Sequence, residues 1–280
     1  MRRRLLTTVA IGVVCATTAA SALGDGSRGP GAVQGWDGIA RGGIRYVAVP
    51  AGDSTAIEAV SRQGGRVLRF IPLKGNWGIP MVAYDGTTDG LLPDGHTLLV
   101  SDANTGPSLK KQSSFALLNM RKIHIIHTVR LAGDFSFDAL SPDARYLYLV
   151  EHLSTQNLTQ YRVRAYDFRA GRLLPNVVTD KRESETTMQG YPVTRATSPN
   201  GRWAYTLYGG SGKTFIHALD TRNVGAVCID LPWRKQPKRL FQFKLRLDGD
   251  GHIVVRGPRG RALVVVDRAK LRVLSSVREP

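Results

Sequence analysis

The run Tyr208-Gly-Gly-Ser-Gly-Lys-Thr214 ends as a phosphate-binding loop does, with glycines that let backbone amides close on an anion and a lysine to meet it. The full pattern needs a glycine five places before Gly212, where Leu207 stands, and a helix afterwards, whereas Thr214 to Leu219 reads as a strand. The run therefore predicts a loop between two strands. Among the histidines, His124 and His127 are three apart, a spacing that on a strand sends the rings to opposite faces, and no carboxylate stands near. Neither a metal nor a cofactor is expected. Glu151-His152 closes an apolar strand and has the composition of a general acid–base pair, although a solvated strand end is the plainer reading. Glu183 and Glu185 lie in the polar loop from Thr179 to Gly190, the kind of loop that carries ligand contacts on a rigid scaffold. No residue is assigned a catalytic role.

The densest basic stretch is Trp233-Arg-Lys-Gln-Pro-Lys-Arg-Leu-Phe-Gln-Phe-Lys-Leu-Arg246. Arg234, Lys235, Lys238 and Arg239 cluster around a proline, which predicts a loop, and Lys244 and Arg246 then alternate with apolar residues as in a half-exposed strand. The bland reading is a solvated loop; the functional one is a contact for an anionic surface. The whole chain carries a formal charge of +17, and setting aside Arg2, Arg3 and Arg4 leaves +14. That balance favours acidic partners such as anionic lipid headgroups or acidic cell-wall polymers.

The elements that must position these residues come from a repeat. Leu140-Ser-Pro-Asp-Ala-Arg-Tyr-Leu-Tyr-Leu-Val-Glu-His152 is a tight turn feeding a strand apolar on both faces. It returns as Leu92-Pro-Asp-Gly-His-Thr-Leu-Leu-Val-Ser-Asp102, as Ser198-Pro-Asn-Gly-Arg-Trp-Ala-Tyr-Thr-Leu-Tyr208, and in degenerate form as Asp248-Gly-Asp-Gly-His-Ile-Val-Val-Arg256. The spacings from Pro93 to Pro142, Pro199 and Asp248 are 49, 57 and 49 residues. Periods near this length, with several short strands per unit, mark propeller blades. Within each unit a further hairpin is expected, at Asn119 to Lys122, Asp167 to Gly171, Asp220 to Asn223 and Asp267 to Lys270. A short strand is also expected around Pro80 to Tyr84, and one over Arg172 to Val178. The sequence thus predicts an all-β fold, a β-propeller of about five four-stranded blades over residues 44–280.

Residues 1–22 have the order of a secretory signal: Arg2 to Arg4, the apolar run Leu5 to Ala16, and small residues ending at Ala22. Cleavage is expected after Ala22, and Val14 before Cys15 argues against lipidation there. Residues 23–43 read as a flexible Gly-rich lead-in with an edge strand near Val33 to Ile39. Cys228 is then the one cysteine of the mature chain, which excludes an internal disulfide, and it reads as a small apolar strand residue.

The Ser-Pro-Asp-Gly phrase carried by Ser141-Pro142-Asp143, Ser198-Pro199-Asn200-Gly201 and Pro93-Asp94-Gly95, followed by the hairpins Asp167 to Gly171 and Asp220 to Gly225, resembles bacterial YVTN-type and TolB-like β-propeller repeats. The resemblance covers Ile44 to Val277 and rests on turns, so it implies an architecture and an exported address more than a chemistry. The combined expectation is a secreted, periplasmic or extracellular, monomeric and non-catalytic binding or scaffolding module. Its partners would be an envelope protein, an acidic cell-wall polymer or an anionic lipid surface, and not nucleic acid. The alternative is a propeller hydrolase or lactonase with its site at the channel mouth, which would need carboxylates or histidines converging from several blades.

Overall fold

The recurring turn is closed by side chains, and that closure is what the repeat encodes. Ser141 Oγ donates to Asp143 Oδ1 (2.6 Å) and accepts the Tyr146 amide (2.8 Å), and Ser198 does the same with Asn200 (2.8 Å) and Trp203 (2.8 Å). In the earlier copy Asp94 takes over, accepting the Thr97 amide at 2.8 Å; in the last, Asp248 accepts that of His252 at 2.8 Å. Each bond satisfies the N–H that opens the next strand, so different residues serve one geometry.

The structure, a computed structural model, describes residues 30–104, 108–154, 160–182, 186–210 and 212–277. The signal reading of residues 1–22 lies outside them. The chain enters through β1 (Ala32–Val33) and then forms five antiparallel meanders. Blade one is β2 (Gly35–Arg41), β3 (Ile44–Ala51), β4 (Ser54–Ser61) and β5 (Val67–Lys74). Blade two is β6 (Trp77–Pro80), β7 (Thr97–Asp102), β8 (Gln112–Asn119) and β9 (His124–Ala132). Blade three is β10 (Phe135–Leu140), β11 (Tyr146–His152), β12 (Gln160–Asp167) and β13 (Arg172–Leu173), with β14 (Met188–Gln189) added to the start of β12. Blade four is β15 (Tyr191–Thr197), β16 (Trp203–Gly210), β17 (Lys213–Asp220) and β18 (Gly225–Asp230), and blade five is β19 (Lys244–Leu247), β20 (His252–Arg256), β21 (Ala262–Asp267) and β22 (Arg272–Ser276). No α-helix occurs among the described residues. β1 pairs with β6, so the stretch ahead of blade one is strapped onto blade two.

Four apolar clusters glue successive blades. Ile57 and Ala59 meet Leu98 and Leu118; Leu117 and Phe115 meet Leu147 and Leu149; Tyr148 and Val163 meet Ala204 and Leu219; Tyr205 and Ile216 meet Ile253 and Val264. β11 is apolar on both faces because Leu147 and Leu149 serve one interface while Tyr148 serves the next, its hydroxyl donating to the Thr221 carbonyl at 2.9 Å.

The strand after each Pro-Asp turn lies inside its sheet, and in blades three to five β10, β15 and β19 before it lie at one edge; β15 and β19 lie against one another. Two expectations need correction. The short strand near Pro80 is Trp77–Pro80; beyond it Met81 to Asp89 leaves the sheet to bond elsewhere, as described below. The strand expected to Val178 ends at Leu173, because Pro175 offers no N–H to the ladder. Leu174 and Val178 still donate singly to Ala165 and Val163.

In blades two to five the second hairpin is also side-chain capped. Asn119, Asp167, Asp220 and Asp267 each accept two backbone amides from the residues two and three places on. The residue four places on is left-handed in every copy: Ile123 (φ 55°), Gly171 (φ 66°), Val224 (φ 51°) and Leu271 (φ 49°). Only Gly171 takes this conformation without strain, and a β-branched residue is the worst choice for it. Ile123 is exposed and contributes little packing in return. Ile123→Gly is expected to raise unfolding stability by about 1 kcal/mol, the order of the left-handed penalty, read as a higher urea midpoint with unchanged m-value.

Candidate functional site

Blades three and four meet at a buried ion pair. Arg195 on β15 sends one guanidinium nitrogen to the Asp138 carboxylate on β10 and another to the Asp138 carbonyl, while its Nε donates to Thr206 Oγ1 at 2.8 Å. Asp138 sits where the β10–β11 register shifts by a bulge, which is how an edge strand re-aims a side chain. Burial works against the guanidinium, but Asp138 and Asp89 outweigh it and hold the Arg195 pKa above the ordinary arginine value.

Above this pair runs the segment that left blade two. The Tyr84 and Asp85 amides donate to the Pro192 (2.9 Å) and Val193 (3.2 Å) carbonyls of β15. The Asp85 carboxylate accepts Lys244 Nζ of blade five at 2.9 Å; Thr88 donates to the Gly38 carbonyl of blade one at 3.2 Å; Thr197 of blade four donates to Asp89 at 2.9 Å. One connection of blade two is thus tied to blades one, four and five.

Beside it lies a cavity of about 30 Å³, walled by Met81, Val82 and Tyr84 of that segment, Ser136, Phe137 and His152 of blade three, and Tyr191 and Tyr208 of blade four, with Tyr161 also in its wall. Such a volume holds one or two waters, not a drug-sized ligand. Ser136 Oγ and His152 Nε2 are 3.0 Å apart across β10 and β11, the reach of a nucleophile–base pair. Burial pushes the Tyr161 and Tyr208 phenols well up, so both stay neutral.

Of the residues singled out from sequence, Glu151 and His152 are parted by the pleat. His152 is buried in the cavity wall, whereas Glu151 forms an ion pair with Arg164 at 3.1 Å. The two do not form an acid–base pair. Glu183 and Glu185 lie outside the described residues, but the loop that holds them is tied down at Asp180, which accepts the Cys228 amide at 2.8 Å. Hydrogen bonds from Arg182 hold the Asp180 pKa down at about 2. The glycine run after Tyr208 is a hairpin in which Gly210 pairs with Lys213. Asp248, Asp250 and His252 bring one ligand-type atom each within 4.8 Å of one another, a grouping that sequence reading took only as a turn. Asp248 is occupied there with closing the turn, accepting the Asp250 amide at 3.1 Å as well as that of His252.

Arg234, Lys235, Lys238 and Arg239 are all exposed, on the loop joining β18 to β19. The loop is pinned from beneath. Trp233, Leu240 and Phe243 are buried, Trp233 Nε1 donates to the Val277 carbonyl at 3.2 Å, and Leu240 sits so close over Gly209 that any β-carbon there would collide with it. The 3-10 turn Leu240–Gln242 points Phe241 outward, and Tyr84 stands edge-on to both Phe241 (6.5 Å between centroids) and Tyr191 (6.0 Å). Through Phe241 the basic loop borders the cavity wall at Tyr84, so that its turn forms part of the rim of this mouth. Sequence reading found the four cations but missed Tyr84, Tyr191, Ser136 and the Asp138–Arg195 pair, which come together only across blades.

No family model matches the chain, and no curated protein does. Among solved structures, the Dos1 propeller is similar with a TM-score of 0.48 at 11% identity, over 85% of this chain and 56% of that one. TolB from Acinetobacter baumannii is similar with a TM-score of 0.42 at 11% identity, over 81% and 49%. A putative 6-phosphogluconolactonase from Bacteroides uniformis is similar with a TM-score of 0.44 at 12% identity, over 86% and 71%. The chain spans about half the length of the first two. At these identities the likeness carries no chemistry.

His217, on β17 against Tyr208, is fully buried and its Nε2 meets no hydrogen-bond partner among the described residues. Burial pushes its pKa down to about 4 from 6.5. A depressed folded pKa means stability intact above pH 6.5 and lost as pH falls through the interval to about 4, by about 3 kcal/mol in all. Urea titrations at pH 7, 5.5 and 4 should show that loss, and His217→Phe should remove its share while leaving the carboxylate contribution below pH 4.5 in place.

Proposed function

We propose that this chain is an exported β-propeller that serves as a non-catalytic, monomeric binding or scaffolding module at the cell envelope, and that it meets an acidic partner through Arg234, Lys235, Lys238 and Arg239. The carrying observation is the build of their loop: buried anchors at Trp233, Leu240 and Phe243 leave all four cations facing solvent. A pinned loop presents its charges persistently, so less order is lost on contact than with a floppy tail. The signal-like order of residues 1–22 and the charge of +14 left once Arg2, Arg3 and Arg4 are set aside from +17 support an acidic partner outside the cell, which sets nucleic acid aside.

Exposed charges are screened within about 8 Å at physiological ionic strength, so binding of the mature protein to a soluble polyanion such as polyglutamate should weaken well below molar salt. Changing all four residues to Gln should remove most of it with little change in melting temperature. The control changes Arg62, Arg66, Arg69 and Lys74 to Gln and preserves binding. Equal losses from the two sets would mean that only net charge matters.

The 3.0 Å contact between Ser136 and His152 favours a second reading, a hydrolase acting at the mouth. Against it, the adjoining cavity has room for water rather than for an ester. Under the hydrolase reading, turnover of short-chain esters or lactones disappears in Ser136→Ala; equal background rates for both proteins would end it.

A further inference from the structure

The loop that carries the four cations also carries a feature that charge alone does not explain. Phe241 is 51% exposed although the residues on either side of its turn, Leu240 and Phe243, are buried. A phenyl ring has no polar handle, and this one is held outward by a 3-10 turn whose own anchor fills the space over Gly209. It is not isolated. Tyr84 links it, through T-shaped contacts with both rings, to Tyr191, which is 39% exposed at the start of β15. Leu153, one residue beyond His152 at the same mouth, is 39% exposed as well.

We propose that this rim seats on the surface of an anionic lipid bilayer, with Phe241 entering the headgroup–acyl boundary and Tyr191 beside it at headgroup depth. The inference rests on the anionic-surface reading above and names the partner. The choice of a bilayer over a soluble acidic polymer comes from the pairing of chemistries in one short loop. A polyanion satisfies Arg234, Lys235, Lys238 and Arg239 but offers nothing to an outward phenyl ring. A bilayer satisfies both, since aromatic rings collect at the membrane–water interface and basic residues are drawn to acidic headgroups. At a membrane surface the binding strength grows with buried apolar area together with electrostatic attraction to anionic lipids, and this loop offers both. The seating is shallow, because the aromatic feature is one turn and two side chains, not a span.

Co-sedimentation with vesicles of phosphatidylglycerol mixed into phosphatidylcholine tests this, beside polyglutamate binding for every variant. Phe241→Ala is expected to lower vesicle partitioning roughly threefold to tenfold, the scale of the exposed half of one apolar side chain returned to water, with polyglutamate binding unchanged. Phe241→Trp should keep or raise partitioning, since tryptophan is favoured at the interface. Vesicles of phosphatidylcholine alone should bind little. If Phe241→Ala partitions as the parent does while the four-Gln variant does not, charge alone makes the contact and the bilayer seating is wrong, although the anionic-surface reading survives. Binding to polyglutamate but not to vesicles has the same meaning. Failure to bind either one overturns both readings.

Discussion

Arg195 is the constraint on which the rest of the structure depends. A guanidinium taken wholly out of water is costly, and losing one partner of such a buried pair typically costs about 3–5 kcal/mol. Each of its nitrogens must therefore find an acceptor. Asp138 accepts from two of them, with its carboxylate and its carbonyl, and Thr206 accepts from the Nε. These partners come from blades three and four, so the two sheets can pack in only one register near the centre. An apolar pair of the same volume would hold them together as firmly but would tolerate sliding.

That register positions everything at the mouth. With β15 set against β10, the Pro192 and Val193 carbonyls are placed to receive the Tyr84 and Asp85 amides. The segment from blade two then reaches Lys244 in blade five and Gly38 in blade one. The mouth is thus closed by backbone from one blade and narrowed to a cavity that suits a water better than a substrate. What remains open to large partners is the rim, where Tyr84, held by those same bonds, backs Tyr191 and Phe241. The polar centre and the aromatic, basic rim are two consequences of one packing.

The periphery obeys a different economy. At the outer hairpins of blades two to five an Asn or Asp gathers two amides, and the chain accepts a left-handed Ile123, Val224 or Leu271 to keep the turn. The strain is tolerated because the blades' apolar interfaces hold the hairpins regardless of it. Local turn quality varies from copy to copy while the interblade contacts do not lapse over four successive interfaces.

How much of this was legible in the chain follows from the range of each interaction. Turns closed within five residues, such as Ser141 with Asp143 and Tyr146, announce themselves by composition, and their recurrence was enough to count the blades and to place β11, β16 and β20. The alternation of Lys244 to Leu247 marked β19, and the proline-bearing cluster marked the basic loop as exposed. Sequence alone therefore determined the architecture and where its densest charge lies. It misplaced the strand near Pro80 because the burial of Val82 comes from other blades rather than from a sheet of its own. It read Glu151 and His152 together as a solvated strand end, because adjacency in the chain hides the pleat that turns His152 inward. Only the tertiary structure decided that Asp138 and Arg195, 57 residues apart, share one buried ion pair, and that Tyr84 and Phe241 meet edge to face. Such pairs have no local signature, since they are selected by the packing of whole sheets and not by the geometry of any one turn.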